Sequence, residues 1–300
     1  MPIKIKIKNE FGIGLMKPQR LFFGAATDPS KYYPAIGHED VYCKILAGLR
    51  DGEPLQVVVG KRGSGKTTLA MRWLSEIGNQ FDTIFLPARV YGESILLLRD
   101  INNELCLPAS SNRWTLKEQI KEKLLAGYEK NINSLFIVDG GHQISDESLQ
   151  DLLEFSNLIG SKGNVLSIVI LGDFNLLDKL TGHSRINNTK IAFPIHLIPQ
   201  LEDNELADFA RQQIRLEGLD PDQIIDHETL NSVVFLAKGN IATMITLLRL
   251  SWRFAKIHEM KCIDMELVES AHNSITCLHN DYIEGMEPQE FVIQTQGISA

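Results

Sequence analysis

One stretch of the sequence carries a complete phosphate-binding pattern. Residues 57–70 read VVVGKRGSGKTTLA, which contains GxxxxGK[ST] between a strand-like apolar run and the start of a helix-like run. In this context the glycines let backbone N–H groups curl around phosphate oxygens, and the start of the helix adds a partial positive charge. The sequence therefore predicts a nucleotide site in which the lysine meets the β- and γ-phosphates, formed by Gly60, Lys61, Arg62, Gly63, Ser64, Gly65, Lys66, Thr67 and Thr68.

A carboxylate suited to a metal-bound nucleotide comes later in the chain. The apolar run SLFIV at 134–138 leads into Asp139, 72 residues after Thr67 (139 − 67). A loop hydroxyl and a carboxylate at a strand tip are ligands that hold Mg²⁺ beside phosphates, the carboxylate through water. We therefore expect ATP and Mg²⁺ as cofactors, with the metal held by Thr67 and Asp139. The alternative for Asp139 is a helix cap in a strand-to-helix turn.

The residue after Asp139 bears on whether the nucleotide is hydrolysed. In hydrolysing P-loop ATPases this position usually holds an acid that orients and deprotonates the attacking water, and here it is Gly140. A positioned general base contributes about 10²–10⁴ in rate. Asp173, which follows the apolar run VLSIVILG, is either a substitute base or a capping group in a turn. His142 could also approach that water, but it is predicted to be a surface residue.

Hydrophobic patterning divides the chain into two folded units. From residue 37 to 199, short aliphatic and β-branched runs alternate with helical segments, a pattern typical of a parallel sheet covered by helices on both faces. Residues 200–278 contain only helical segments, with predicted N-caps at Asp203, Asp226 and Asn240. Residues 1–36 are predicted to be an N-terminal strand and entry segment. Residues 279–300 are polar and lack periodicity, so we expect a loosely ordered tail.

The bulk composition argues against several classes of protein. The formal net charge of −8 disfavours binding of nucleic acid over the whole surface, although a local basic patch stays open. The four cysteines form no CxxC or Cys/His cluster, as expected of reduced thiols in the cytoplasm. No secretory h-region is visible, and the longest apolar runs fall far short of the ~20 residues of a transmembrane helix. We therefore expect a cytoplasmic protein without a transmembrane segment.

The order of these motifs resembles that of the AAA+ ATPases of the ExeA/GspA group, which serve type II secretion, and of their MSHA-pilus relatives. Those proteins carry a GxxGxGKT loop, a segment like IDEAQxLSxExLExLRxLSN and then LVGQPEL. This chain has GKRGSGKT, VDGGHQISDESLQDLLEFSN and ILGDFNLL. The resemblance covers residues 20–260 and implies an α/β P-loop NTPase fold of the AAA+ type, with a parallel sheet sandwiched by helices and a small all-helical lid domain.

The same resemblance shows where the hydrolytic residues depart from the group's pattern. The glutamate of DEAQ is Gly140 here, and the glutamine of GQPEL, which occupies the sensor position, is Asp173. The arginine expected to reach a neighbouring subunit's γ-phosphate corresponds to Lys190, with Arg185 five residues earlier, and the lid arginine corresponds to Thr243. An arginine finger is worth about 10³–10⁵ in rate. The resemblance thus implies that the residues for nucleotide binding are present and that the residues for hydrolysis are replaced. It leaves open whether the chain is an enzyme.

The entry segment offers a further expectation and an alternative to it. Residues 32–36, YYPAI, fall just before the first helix, where AAA+ proteins often hold the adenine. Simple packing against the first helix is the other interpretation of these residues.

The expected function is that of an ATP-binding AAA+ protein resembling secretion and pilus-assembly ATPases. It binds Mg-ATP with weak or absent hydrolysis and acts as a nucleotide-dependent assembly factor, through self-association or pairing with a paralogous AAA+ subunit. Any contact with a membrane machine is indirect. Two alternatives stay open: a DNA-associated protein of the transposition-targeting type, which the net charge disfavours and salt-dependent DNA binding would reveal, and a non-hydrolysing structural module of a larger complex.

Overall fold

Helices and strands alternate in the computed structural model up to Leu197, and the named elements among the residues described after it are all helices. The structure describes residues 31–77, 80–186 and 193–284, without the side chains of 183–186 and 276–284. In these ranges the strands are β1 (Leu55–Val59), β2 (Asp82–Leu86), β3 (Ser134–Val138), β4 (Ile159–Gly160), β5 (Gly163–Asn164), β6 (Leu166–Gly172) and β7 (Ile195–Leu197). The helices are α1 (Ile36–Asp51), α2 (Lys66–Ile77), α3 (Ser94–Glu104), α4 (Arg113–Tyr128), α5 (Asp146–Ser156), α6 (Asn175–Ile186), α7 (Asp203–Leu216), α8 (Pro221–Ile224), α9 (His227–Ala237), α10 (Ile241–Ile257) and α11 (Met265–Glu284).

Five strands form one parallel sheet in the order β2-β3-β6-β1-β7. Because the strands are parallel, their carboxyl ends lie at one edge, which is where open α/β sheets bind ligands. The loop after β1 therefore shares this edge with Asp139, which follows β3, and with Asp173, which follows β6. β6 lies between β1 and β3, so the phosphate loop and both acids come from three neighbouring strands.

Both faces of the sheet are buried under helices. Leu55, Val57 and Val59 of β1 pack into a core with α3, α4 and α5. Val58 faces the other way and packs with α1 and α2. Burial on both faces explains why the strands read as continuous aliphatic runs. The fold-class prediction, a parallel sheet sandwiched by helices, is confirmed.

The region after the sheet has a hydrophobic core of its own. Residues of α7, α9, α10 and α11 contribute to it, among them Leu206, Leu230, Leu248 and Val268. The helical region expected after the sheet is therefore present. Its last helix continues to Glu284, past residue 278, where the sequence predicted a polar tail to begin.

Side-chain caps fix where the helices of this region begin. Asp226 and Asn240 accept the N–H groups of the third residues of α9 and α10, at 2.8 and 3.0 Å, as the sequence predicted. The predicted cap at Asp203 is wrong, because Glu202 is the N-cap of α7 and Asp203 is its first residue. Glu202 and Glu205 form a reciprocal capping box, which satisfies two N–H groups and starts the helix one residue earlier.

A buried carboxylate ties α4 to α5. The side chain of Asp151 is 0% exposed and lies 2.7 Å from the guanidinium of Arg113 and 2.9 Å from Lys117 Nζ. Removing it leaves both cations without their buried partner. We expect Asp151→Ala to lower the free energy of unfolding by about 2–4 kcal/mol, measured by chemical denaturation.

Glu147 provides the matched control for this pair. It contacts the same guanidinium of Arg113 at 3.3 Å, but its side chain is 53% exposed. We expect Glu147→Ala to cost less than about 1 kcal/mol. Equal losses in the two variants would show that burial of Asp151 contributes nothing.

Candidate nucleotide-binding site

The phosphate loop joins β1 to α2, and its lysine lies against the loop itself. Lys66 Nζ donates to the backbone oxygens of Gly60 and Lys61 at 2.7 and 2.8 Å. Burial lowers the pKa of the Lys66 amine, and the charges of Asp139 and Asp173 oppose that shift. The structure thus places the lysine between loop carbonyls and the two acids at the strand ends.

The two residues predicted to hold the metal are in direct contact. Thr67 Oγ1 donates to Asp139 Oδ2 at 2.6 Å, and Asp139 Oδ1 accepts the N–H of Gly140 at 2.9 Å. Asp139 is buried, with 6% exposure. The alternative of a helix cap does not describe it, because the next α-helix, α5, is capped by Ser145. A hydroxyl oxygen and a carboxylate oxygen therefore lie side by side at the carboxyl edge of the sheet.

A cleft of about 450 Å³ lies over the loop. The loop forms one wall, the ends of β3 and β6 form the second, and the start of α10 forms the third. The lining residues are Arg62, Gly63, Gly65, Lys66, Thr67, Thr68, Ala88, Asp139, Gly140, His142, Gln143, Asp173, Ile241 and Ala242. This cleft brings together most of the residues that the sequence predicted for the site.

Three predicted loop residues lie outside the cleft wall. Gly60 and Ser64 belong to the loop but are buried. Lys61 turns away, and its Nζ donates to Gln200 Oε1 at 2.8 Å. Their contribution is to the shape of the loop, and the predicted direct contact of Lys61 with nucleotide stays a prediction.

Gly140 adopts a backbone conformation that disfavours other residues. Its φ is +66°, and a Cβ atom there would lie 2.8 Å from Ala88 Cβ and 3.0 Å from Ala88 Cα. The left-handed conformation costs an L-residue roughly 1–2 kcal/mol, and the contact with Ala88 adds to that cost. The packing around position 140 therefore fits glycine, where hydrolysing P-loop ATPases usually have an acid.

Asp173 and His142 meet across the ends of β6 and β3. His142 Nδ1 accepts the N–H of Asp173 at 3.3 Å, and His142 Nε2 lies 3.6 Å from Asp173 Oδ2. Asp173 Oδ1 also accepts the N–H of Asn175 at 3.0 Å, so the acid caps the turn that leads into α6. Of the two predicted roles, this capping contact is the one present in the structure.

The prediction that His142 is a surface residue is met in part. Its side chain is 24% exposed and lines the cleft. A short 3₁₀ turn at Gly141–Gln143 folds this segment back towards β6, which sequence periodicity does not reveal.

The helical region holds the phosphate loop directly. Asn240 Nδ2 donates to the carbonyl of Arg62 at 2.7 Å, and the N–H of Ala242 donates to the carbonyl of Gly63 at 3.2 Å. Thr243, which corresponds to the lid arginine, is partly buried just beyond the residues of α10 that line the cleft. The start of α10 therefore lies against the loop, with no arginine at that corresponding position.

Gly63 is the point of closest approach between the loop and α10. Its φ is +80°, and a Cβ there would collide with Asn240 Oδ1 and lie 2.8 Å from Ala242 Cβ. We expect Gly63→Ala to lower the free energy of unfolding by about 2–3 kcal/mol, measured by chemical denaturation. The matched control is Gly52→Ala, because Gly52 has a φ of +75° with no atom within 4 Å of the added Cβ, so it isolates the backbone strain. Equal losses at the two glycines would mean that the contact with α10 has no energetic role.

The two candidate finger residues have side chains outside the part of the chain that the structure describes. Lys190 lies outside the described residues, and Arg185 lies in α6 within the part whose side chains are not described. Their role stays a prediction.

Sequence reasoning missed His38, a residue of α1 that contacts the backbone of the phosphate loop. His38 is 3% exposed, and its Nε2 lies 2.6 Å from the carbonyl oxygen of Ser64. The available signal was its spacing, since His38 shares one face of α1 with the buried residues Val41, Tyr42 and Ile45.

Comparisons with known proteins agree with this architecture. A family model described as an AAA domain matches residues 49–180. The chain is 24% identical over 208 residues to General secretion pathway protein A of Aeromonas hydrophila. The match covers 68% of this chain and 37% of that protein, so the chain spans less than half the length of its curated relative.

Solved structures share the fold at low sequence identity. Cdc6p of Pyrobaculum aerophilum superposes with a TM-score of 0.64 and 15% identity, covering 82% of this chain and 69% of that one. The Aeropyrum pernix ORC2 protein gives a TM-score of 0.59 and 17% identity, covering 79% and 66%. In the described part of the chain, no helix is long and apolar enough to cross a membrane. Residues 49–180 thus match an AAA domain, the fold is that of P-loop AAA+ structures, and the chain is similar in sequence to a general secretion pathway protein A.

Proposed function

We propose that this chain binds Mg-ATP in the cleft over residues 60–68, hydrolyses it slowly or not at all, and uses the bound nucleotide to control assembly. One observation carries the proposal. The binding residues Lys66, Thr67 and Asp139 are assembled at one edge of the sheet, while the neighbouring Gly140 is packed against Ala88 in a conformation that suits glycine.

The residues present fit a nucleotide with its metal. The amine of Lys66 is the group that would exchange its loop carbonyls for phosphate oxygens. Thr67 and Asp139 offer hard oxygen atoms to Mg²⁺, which usually takes one or two protein carboxylates and completes its shell with phosphates and water. When bound, the metal would neutralise charge on the phosphates. The start of α2 adds its partial positive charge at the same place.

Slow hydrolysis follows from what surrounds the place where an attacking water would sit. Position 140 supplies no carboxylate, and the carboxylate of Asp173 is engaged by the N–H of Asn175 and faces His142. P-loop proteins that await an arginine finger turn over on the order of 10⁻³ s⁻¹ or slower. We expect this chain to lie in that range.

The assembly role is proposed from sequence similarity. The curated relative is named for the general secretion pathway, and we extend that setting to a secretion or pilus machine of the envelope, reached from the cytoplasm. The partner is a second copy of this chain or a paralogous AAA+ subunit.

The test combines binding, phosphate release and size measurement on the same preparation. We expect saturable, Mg²⁺-dependent binding of a fluorescent ATP analogue, phosphate release on the order of 10⁻³ s⁻¹ or slower, and a larger hydrodynamic size with ATP than with ADP. Failure to bind ATP would favour the alternative that the chain is a structural module of a larger complex. Phosphate release that double-stranded DNA stimulates, in a salt-dependent manner, would favour a DNA-associated protein instead.

A further inference from the structure

The strand β7 forms one edge of the sheet and carries exposed aliphatic side chains. In the described part of the chain, β7 pairs with β1 and ends the strand order on that side. Ile195 and Leu197 of β7 are 51% and 56% exposed. Their register partners on β1, Val57 and Val59, are 0% and 1% exposed and belong to the core under α3, α4 and α5. The apolar face of the sheet therefore continues onto β7, where its side chains are half exposed.

The backbone of β7 also presents hydrogen-bonding groups at this edge. The N–H of Ile198 donates to the carbonyl of Val59 at 2.8 Å, so the backbone of Ile198 faces β1. Alternate residues of a strand direct their N–H and C=O groups to opposite sides. Those of Ile195 and Leu197 therefore point away from β1, where an extended segment could pair with them.

We propose that residues 3–8 of the same chain, IKIKIK, add to this edge as a sixth strand beside β7. Successive side chains of a strand lie on opposite faces, so the three isoleucines share one face and the three lysines share the other. The isoleucines would extend the apolar row that ends at Ile195 and Leu197. The lysines would make the new outermost strand a poor template for further pairing, which is how charged residues protect sheet edges.

The opposite edge of the sheet matches this segment less well. Ile84 and Leu86 of β2 are 4% and 1% exposed, and Phe85 is partly buried against the core on the other face. The apolar side chains of β2 are therefore already covered. Of the two edge strands, β7 is the one whose aliphatic side chains would gain burial from an added strand.

The described chain begins close to β7. A Cβ atom at Gly37 would collide with the ring of Pro199, so the first turn of α1 lies against the residue that comes two positions after the end of β7. Lys31 precedes Gly37 by six residues and therefore lies within about 20 Å of it. Between residue 8 and Lys31 there are 22 residues (31 − 8 − 1), which can span up to about 70 Å. The segment can therefore reach β7 of its own chain without a second copy.

The inference is independent of the proposed function, because no step of it involves the nucleotide. Its consequence concerns the choice of partners. While residues 3–8 cover β7, a strand from a second copy or from another protein cannot pair at this edge of the sheet.

Hydrogen–deuterium exchange of the full chain, resolved to single amides by fragmentation in the mass spectrometer, tests the pairing. We expect alternate amides within residues 3–8 to exchange at least about 10-fold more slowly than in an unstructured peptide. In Leu197→Lys this protection should be lost, because a charge replaces the apolar contact. The matched control is Ile257→Lys, which places the same charge at a 64% exposed residue of α10 and should leave the protection unchanged.

The reverse variant keeps the test valid if Leu197→Lys fails to fold. Ile5→Lys changes the added segment and leaves β7 intact, and it should speed the exchange of the amides of Ile195 and Leu197. Lys6→Gln, on the other face of the segment, should not.

Three outcomes would overturn the inference. Exchange of residues 3–8 at the rate of an unstructured peptide in the wild type would show that no strand is added. Protection that survives Leu197→Lys, or amides of β7 that do not respond to Ile5→Lys, would show that the segment does not pair with β7. Protection that disappears on dilution, together with a dimer in light scattering, would show that the segment comes from a second copy. ATP binding is measured separately, so none of these results decides the proposed function.

Discussion

Lys66→Ala is expected to weaken ATP binding by about 10- to 100-fold, since hydrogen bonds to a charged group are worth about 1.5–3 kcal/mol each. The amine lies in the cleft between the phosphate loop and the acids of β3 and β6, where it is the cation suited to the phosphates. Without it, Arg62 and the proposed Mg²⁺ are left to offset the charges of Asp139 and Asp173 beside the phosphates. Titration with a fluorescent ATP analogue measures the loss, and thermal unfolding verifies that the variant is folded.

Lys61→Ala is the matched control, because Lys61 belongs to the same loop but its amine contacts Gln200 outside the cleft. An exposed contact of this kind is worth less than about 1 kcal/mol, so we expect at most about a fivefold effect on binding. An equal loss in the two variants would mean that general positive charge, and not the placement of Lys66, holds the nucleotide.

The second large effect is expected from a double variant at the eroded catalytic position. Ala88→Gly together with Gly140→Glu should raise phosphate release by about 10²-fold, the lower end of what a positioned base contributes. Gly140→Glu alone should gain much less, because its Cβ would lie 2.8 Å from Ala88 Cβ. Removing the methyl group of Ala88 relieves the closest contact and leaves the 3.0 Å approach to the Cα of residue 88 and the strain of the positive φ.

The control for the double variant replaces the acid by its amide. Ala88→Gly with Gly140→Gln has the same shape and lacks the base, so it should turn over at the rate of the wild type. A gain of the same size with the amide would show that relief of packing, and not a carboxylate, limits hydrolysis. Steady-state phosphate release under saturating Mg-ATP compares all four proteins.

The sheet and the phosphate loop were readable from the sequence because local patterns encode them. Two-sided burial produces continuous aliphatic runs such as Leu55–Val59, and the loop needs glycines and a lysine at fixed spacing. The position of Asp139 and Asp173 at one edge followed from the parallel order of the strands. The aliphatic runs and the loop depend on residues close together in the chain.

The features that escaped prediction arise from contacts between distant segments. Ala88 meets Gly140 because β2 and β3 pair side by side, and nothing in either segment alone announces that contact. Asn240 was readable as a cap, yet its hydrogen bond to the carbonyl of Arg62 depends on how the helical region packs on the loop. His38 looked like an ordinary position on the apolar face of α1, and only its contact with Ser64 gives it a role.

One measurement tests most directly whether this chain holds ATP without turning it over efficiently. The purified chain would be incubated with Mg²⁺ and radiolabelled ATP for several minutes and separated from free nucleotide, and the nucleotide bound to it would then be identified by chromatography. We expect most of the bound label to be intact ATP, because Gly140 supplies no base and Asp173 is engaged in capping α6. Bound label that is mostly ADP, with many phosphates released per chain, would contradict the proposal and make the protein a working ATPase.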